Sequence, residues 1–185
     1  MKRLLLISLM AFTAMVMIAQ ESNQMTVITG ELRELCQPEK LIKVSFDYSK
    51  ANLNGKHQNE YLSGSLSSEM SSWASDTKKV EKSFTTKWNK NNEGIASVQT
   101  ELDTPDFLID VKFTDIIAAG MDSETGVIVS GTVDVSSSRS GALLARISFE
   151  NVEGASAHAI NMAMKRSKTY EKLAMKLLSL VKGQE

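Results

Sequence analysis

Two histidines, His57 and His158, are the only imidazoles in this chain of 185 residues. A serine or cysteine nucleophile would need one of them within hydrogen-bond reach, oriented by a carboxylate behind it. His57 stands beside a turn, and His158 lies in a stretch rich in Ala and Ser. Neither follows a nucleophile-elbow pattern. Ser63-Gly64-Ser65 and Ser140-Gly141 have ordinary loop composition. The plainer reading is two histidines at the surface or satisfied by neighbours, and no catalytic residue is assigned. The chain is expected not to be an enzyme.

Asp103, Asp106 and Asp110 are the nearest thing to a metal-ligating cluster. On a strand, Asp106 and Asp110 share a face but stand ~13 Å apart by rise per residue, too far for one ion. No twelve-residue calcium-loop pattern is present. Turn-forming and strand-flanking roles suit these aspartates better, so neither metal nor cofactor is expected. Lys165, Arg166, Lys168, Lys172, Lys176 and Lys182 form a cationic run offset only by Glu171. Such a run is either a solvated helix face or a contact for an anionic envelope surface or acidic partner. Trp73, Phe84 and Trp88 recur at helical spacing. Core packing is the default for such a stripe, and an exposed Trp73 would signal a binding surface. The candidate interaction surface is therefore Trp73 with Lys165, Arg166, Lys168, Lys172 and Lys176.

These residues need elements to position them. Thr26–Thr29 starts a short strand. Ile42, Val44, Phe46 and Tyr48 alternate with Lys43, Ser45 and Asp47, which is the period of a half-buried strand. Asn52 to Gly55 marks a turn. Residues 58–92 read as largely helical. A short helix spans Gln58–Leu62, a Ser-rich joint spans Ser63–Ser72, and the helix that follows stops at Asn91-Asn92-Glu93-Gly94. Ala96–Thr100 is a short strand. Asp103-Thr104-Pro105 turns into a longer one through Phe107, Ile109, Val111 and Phe113.

Val127, Val129, Val133 and Val135 share a face, with Gly131 marking a bulge or a close backbone contact. The loop Ser136–Gly141 joins that strand to Leu143, Ala145, Ile147 and Phe149. Residues 151–164 have no clear pattern. Tyr170, Leu173, Ala174, Leu177, Leu178 and Val181 then form the clearest helical stripe. The order predicts a two-layer α+β domain, a mostly antiparallel sheet with helices packed on one face.

The leader is distinct. Met1-Lys2-Arg3 precedes an almost wholly apolar run from Leu4 to Ala19, and polar sequence begins at Gln20-Glu21-Ser22. This is the layout of a secretory signal peptide, shorter than a spanning helix. Residues 1–20 are read as the signal and 21–185 as a single α+β domain, exported to the periplasm or the exterior. The only cysteine, Cys36, lies too far downstream for a lipid anchor and is expected to pack as a small hydrophobe. The net charge of −1 lacks the basic excess of a dedicated nucleic-acid binder.

Several runs carry a resemblance. They are Val44-Ser45-Phe46-Asp47-Tyr48-Ser49, Asn54-Gly55-Lys56, Lys87-Trp88-Asn89, Pro105-Asp106-Phe107, Val129-Ser130-Gly131-Thr132-Val133 and Val152-Glu153-Gly154. In that order they resemble a family of small uncharacterised secreted proteins of Gram-negative anaerobes, over roughly residues 26–182. That resemblance implies no reaction and no catalytic residue. The strand–helix–strands–helix order is also similar to the TolB amino-terminal domain and to curli-secretion lipoproteins. This second likeness implies docking or assembly; the chain lacks the lipidated cysteine of the lipoproteins. The expected function is a non-enzymatic secreted or periplasmic domain that binds another envelope component. A small-molecule or glycan-binding module is the alternative.

Overall fold

The computed structural model describes residues 25–63, 67–118, 126–154 and 161–184, with no side-chain description for Leu62 or for 67–74. The leader 1–20 and His158 lie outside the described residues.

Strands β1 (Met25–Gly30), β2 (Leu41–Asp47), β3 (Asn52–Leu53), β4 (Lys56–His57), β5 (Ser97–Gln99), β6 (Phe107–Ala118), β7 (Val127–Ser137) and β8 (Leu143–Glu153) form one sheet. Helices α1 (Gln58–Ser63), α2 (Ser67–Asn91) and α3 (Met162–Lys182) complete the described elements. The strand order is β1-β8-β7-β6-β2-β5; off this path β3 pairs with the later part of β6, and β4 with β3. Three neighbouring pairs, β1/β8, β8/β7 and β7/β6, are antiparallel. β2 runs parallel to both β6 and β5, so the sheet is mixed. The parallel edge follows from α2, which returns the chain to the start of the sheet before β5 begins.

The expected two-layer α+β arrangement is the observed one. Alternation on β6 buries Phe107, Ile109, Val111 and Phe113 and turns Leu108, Asp110 and Lys112 to the other face. Val127, Val129, Val133 and Val135 on β7 and Ala145, Ile147 and Phe149 on β8 continue the buried face. α3 covers it with Tyr170, Leu173, Ala174, Leu177, Leu178 and Val181, and α2 with Val80, Phe84 and Trp88, all at most 1% exposed. Leu32 and Leu35, around a single 3-10 turn at Arg33–Leu35, close one end of the core.

Gly131 shows why the β6–β7–β8 register shifts there. A Cβ at this position would stand 2.0 Å from the Lys112 carbonyl oxygen and 2.8 Å from Phe149 Cζ. Only glycine lets the strand and the ring approach this closely, and the pairing slips on both sides of it. The ambiguous stretch 151–164 resolves in part. β8 runs on to Glu153, and α3 begins at Met162, capped by the Asn161 side chain accepting from Met164 N at 2.8 Å. A Cβ on Gly154 would sit 2.3 Å from Thr169 N, so this glycine lets the strand end pass against α3.

One local expectation is corrected, and two are given detail. The Ser-rich joint is shorter than read, because Ser67–Ser72 already belong to α2; a long amphipathic helix overrides the weak helix preference of serine. The Asn52–Gly55 turn is the tip of a small hairpin, β3/β4, with Asn54 and Gly55 both at positive φ. Cys36 is half-buried and packs against the core, its thiol facing the Val181 carbonyl at 3.7 Å.

Candidate functional site

Among the described residues, helices cover one face of the sheet and leave the other without a helix layer. The uncovered face carries a charge ladder. Asp134 on β7 stands opposite both Asp110 on β6 and Arg146 on β8. Its carboxylate accepts from Arg146 Nε at 2.6 Å and Nη2 at 2.9 Å, and from Lys112 Nζ at 2.9 Å. Lys112 also reaches Asp110 at 3.3 Å, and Asp110 accepts from Ser45 Oγ at 3.0 Å. The Arg146 and Lys112 hydrogen bonds hold Asp134 down at about 2. Every charge in this row has its complement, so the ladder reads as sheet pairing.

The aspartates of the sequence reading have structural work. Asp106 accepts from Leu41 N at 3.0 Å and pairs with Lys40 at 3.1 Å, joining the starts of β2 and β6. The Leu41 amide and Lys40 keep its carboxyl below the ordinary range. Among the described residues no three His, Cys, Asp or Glu side chains converge on one point. His57 is exposed and accepts from Asn59 N at 3.4 Å.

Among the described residues the sheet is open along the outer side of β1 and along part of β2. β5 pairs with β2 only at Leu41–Lys43. Beyond it, Val44–Asp47 form a free sheet edge, where alternate backbone groups have no strand beside them among the described residues. The outer side of β5 itself is closed. Asn89 of α2 donates to the Val98 carbonyl at 2.8 Å and accepts from Val98 N at 2.9 Å. Trp88 Nε1 donates to the Ala96 carbonyl at 2.9 Å, and Asn92 Nδ2 to that of Ile95 at 3.0 Å. The end of α2 thus stitches down residues 95–98 and leaves Val44–Asp47 alone. A groove of about 620 Å³ lies along this edge, between Val44–Phe46, the α2 residues Lys78, Glu81, Lys82 and Thr85, and the chain at Val98–Glu101.

Behind the groove runs a polar chain. Tyr48 Oη donates to Glu81 Oε1 at 3.1 Å and lies 2.9 Å from Tyr170 Oη. Arg166 of α3 donates to Thr77 Oγ1 at 3.1 Å beside them. Phe113 stacks on Tyr48 and Tyr170, and Phe46 packs on Phe84 and Tyr170. Burial raises the Glu81 carboxyl above its usual value, against the pull of Tyr48 and Arg166. Burial likewise pushes Tyr170 up to about 12 and Tyr48 higher than an ordinary phenol.

The residues read from sequence as an interaction surface separate. Trp73 falls within α2, and its side chain lies outside the described residues. Lys165 and Arg166 are 2% and 4% exposed, on the inner side of α3, so they are not part of an outer face. Lys168, Lys172 and Lys176 do lie toward solvent, Lys172 the most. Phe84 and Trp88 are in the core and line no groove. The β2 edge was not anticipated. The signal for it was present in the short apolar content of Ala96–Thr100, set against the longer alternation of Leu41–Tyr48.

No family model matches this chain, and no curated protein matches it in sequence. Among solved structures it overlaps the PelC dodecamer from Paraburkholderia phytofirmans at a TM-score of 0.44 and 10% identity, covering 81% of this chain and 96% of that one. A single-substitution form of the same dodecamer overlaps at a TM-score of 0.39 and 14% identity, covering 80% and 97%. Overlap at that level carries no inference to this chain.

Proposed function

We propose that this chain is a non-enzymatic exported module that binds another component of the cell envelope, and that the β2 edge groove receives an extended segment of that component. The observation that carries this reading is the free edge at Val44–Asp47. An added strand there would find backbone hydrogen bonds on one side and the wall of α2 on the other, the recognition mode of strand addition. Lys78 and Lys82 would favour acidic side chains on the segment's helix-facing positions. The apolar leader supports export.

The test is in-cell crosslinking of the tagged protein, with mass spectrometry of what it captures. Thr85 lines the groove without joining any hydrogen bond across it. A reproducible envelope component captured by the native chain and lost in Thr85→Trp supports the reading. Identical capture by the two proteins, or none by either, sinks it.

A further inference from the structure

α2 and α3 together hold eleven cationic and four acidic side chains, while the whole chain has a net charge of −1. The remainder of the molecule is therefore net acidic, and the charge is sorted by layer. The sorting is sharpest on the outer side of the two helices. Lys79, Lys82, Lys87 and Lys90 of α2 face Glu171 of α3 across a shallow groove of about 430 Å³. Lys79 to Lys90 covers ~16 Å of helix.

Among the described residues two acidic side chains answer this face, and each is already engaged, Asp76 with Lys79 at 3.8 Å and Glu171 with Lys168 at 3.1 Å. Lys168, Lys172 and Lys176 follow one another at four-residue spacing, an arrangement that places like charges side by side. Burial and the neighbouring Lys172 lower Lys176 below an ordinary lysine. The opposite face of the sheet shows what a self-sufficient surface looks like here: its charges alternate in sign and close on one another at 2.6–3.3 Å. Among the described residues the helix face closes only at those two pairs, against its larger number of lysines.

We infer that the outer face of α2 and α3 docks on a bilayer surface rich in anionic phospholipid headgroups. Three features select this occupant. The face is built from lysine, a hydrated point charge on a flexible stem, which suits a diffuse anionic surface more than the fixed geometry of one carboxylate or phosphate. The face is broad and offers only a shallow groove to any single ligand. Its apolar content is Met164, 40% exposed, and the half-buried Met175, on the same side of α3 as Lys168 and Lys172. Thioether side chains among lysines can enter a headgroup layer while the ammonium groups stay in water. No described helix is long and apolar enough to cross a membrane.

This surface is separate from the β2 edge groove except for Lys82, which borders both. The test therefore leaves Lys82 untouched. The protein without its leader is sedimented with vesicles of phosphatidylglycerol mixed with phosphatidylethanolamine, and with vesicles of phosphatidylcholine alone. Binding to the anionic vesicles is expected to be at least ~10-fold tighter, and to weaken as salt screens the surface. Reversing Lys87, Lys90 and Lys172 together (Lys87→Glu, Lys90→Glu, Lys172→Glu) is expected to lower that binding by more than ~10-fold at an unchanged unfolding midpoint. Lys43→Glu on the uncovered sheet face is expected to leave it within ~2-fold, allowing only the long-range effect of net charge. Equal binding to both vesicle types, no binding to either, or the same loss from Lys43→Glu as from the triple variant overturns the inference. If the triple variant does not fold, the native protein's lipid preference and salt dependence decide alone.

Discussion

The phenolic oxygens of Tyr48 and Tyr170 lie 2.9 Å apart, one just past the end of β2 and the other on α3. Tyr48 donates its own proton to Glu81 on α2, so the proton between the two phenols is supplied by Tyr170. The relay ties both helices to the end of the strand whose edge forms the groove. It links α2 and α3 to the end of β2 through a largely apolar layer.

Cutting this relay in the middle is more damaging than cutting its end. Tyr48→Phe leaves the Glu81 carboxyl without its phenolic donor and the Tyr170 hydroxyl without its acceptor. A cost of about 2 kcal/mol is expected, against about 1 kcal/mol for Tyr170→Phe, which leaves the Glu81 bond intact. Urea unfolding of the two variants measures the difference. Equal costs would mean that the relay does not act as a chain.

Glu81 also gives the fold a pH dependence of known sign. Its folded pKa is raised by burial, so the neutral carboxyl is the form the fold prefers. That contribution is complete below the ordinary carboxyl value and is lost as pH rises through the raised one. Glu81→Gln keeps a group that can accept from Tyr48 and cannot ionise. Its stability is expected to gain on the native protein as pH climbs from about 4 to about 7. Denaturant midpoints across that range read it directly.

Asp134 acts in the opposite direction. Arg146 and Lys112 hold its folded pKa at about 2, below the ordinary 3.8. The stability it supplies is present above the ordinary value and disappears as pH falls through the depressed one. Asp134→Asn is expected to cost about 1 kcal/mol at neutral pH, as befits a solvent-facing network, and to be nearly silent once the native carboxyl is protonated. Parallel acid titrations of the two proteins, followed by circular dichroism, check the convergence.

Gly131 is expected to tolerate no side chain. The Lys112 carbonyl oxygen that a Cβ would meet belongs to the backbone of a paired strand and cannot move aside. Gly131→Ala is expected to cost at least about 2 kcal/mol, within the range of overpacking. An unchanged unfolding midpoint would show that β7 can shift its register to make room.

Much of the layer structure was legible because burial imposes periodicity. The alternation of Ile42, Val44 and Phe46 and the stripe of Tyr170, Leu173, Leu177 and Val181 each name their buried side without further context. Strand direction was not legible in the same way. Nothing in the local pattern of Leu41–Asp47 states that both neighbours run parallel to it; that follows from the path of α2. The inward turn of Lys165 and Arg166 escaped the charge pattern because cations were read as solvent-seeking. In the fold they sit on the buried side of α3, with Arg166 bonded to Thr77 across the helix pair. The free edge escaped for a related reason. It is defined by where β5 stops, and a strand boundary depends on side chains such as Asn89 that occupy the backbone of a neighbour.

The central claim is that the β2 edge receives a segment of another envelope component. Its most direct test is a photo-crosslinking amino acid placed in cells at Gln99, an exposed residue lining the groove, and at Thr132 on β7, which is separated from β5 by β2 and β6. The account predicts a discrete adduct with one envelope component from Gln99 and none of the same mass from Thr132. No adduct from Gln99, or the same adduct from both positions, would contradict it.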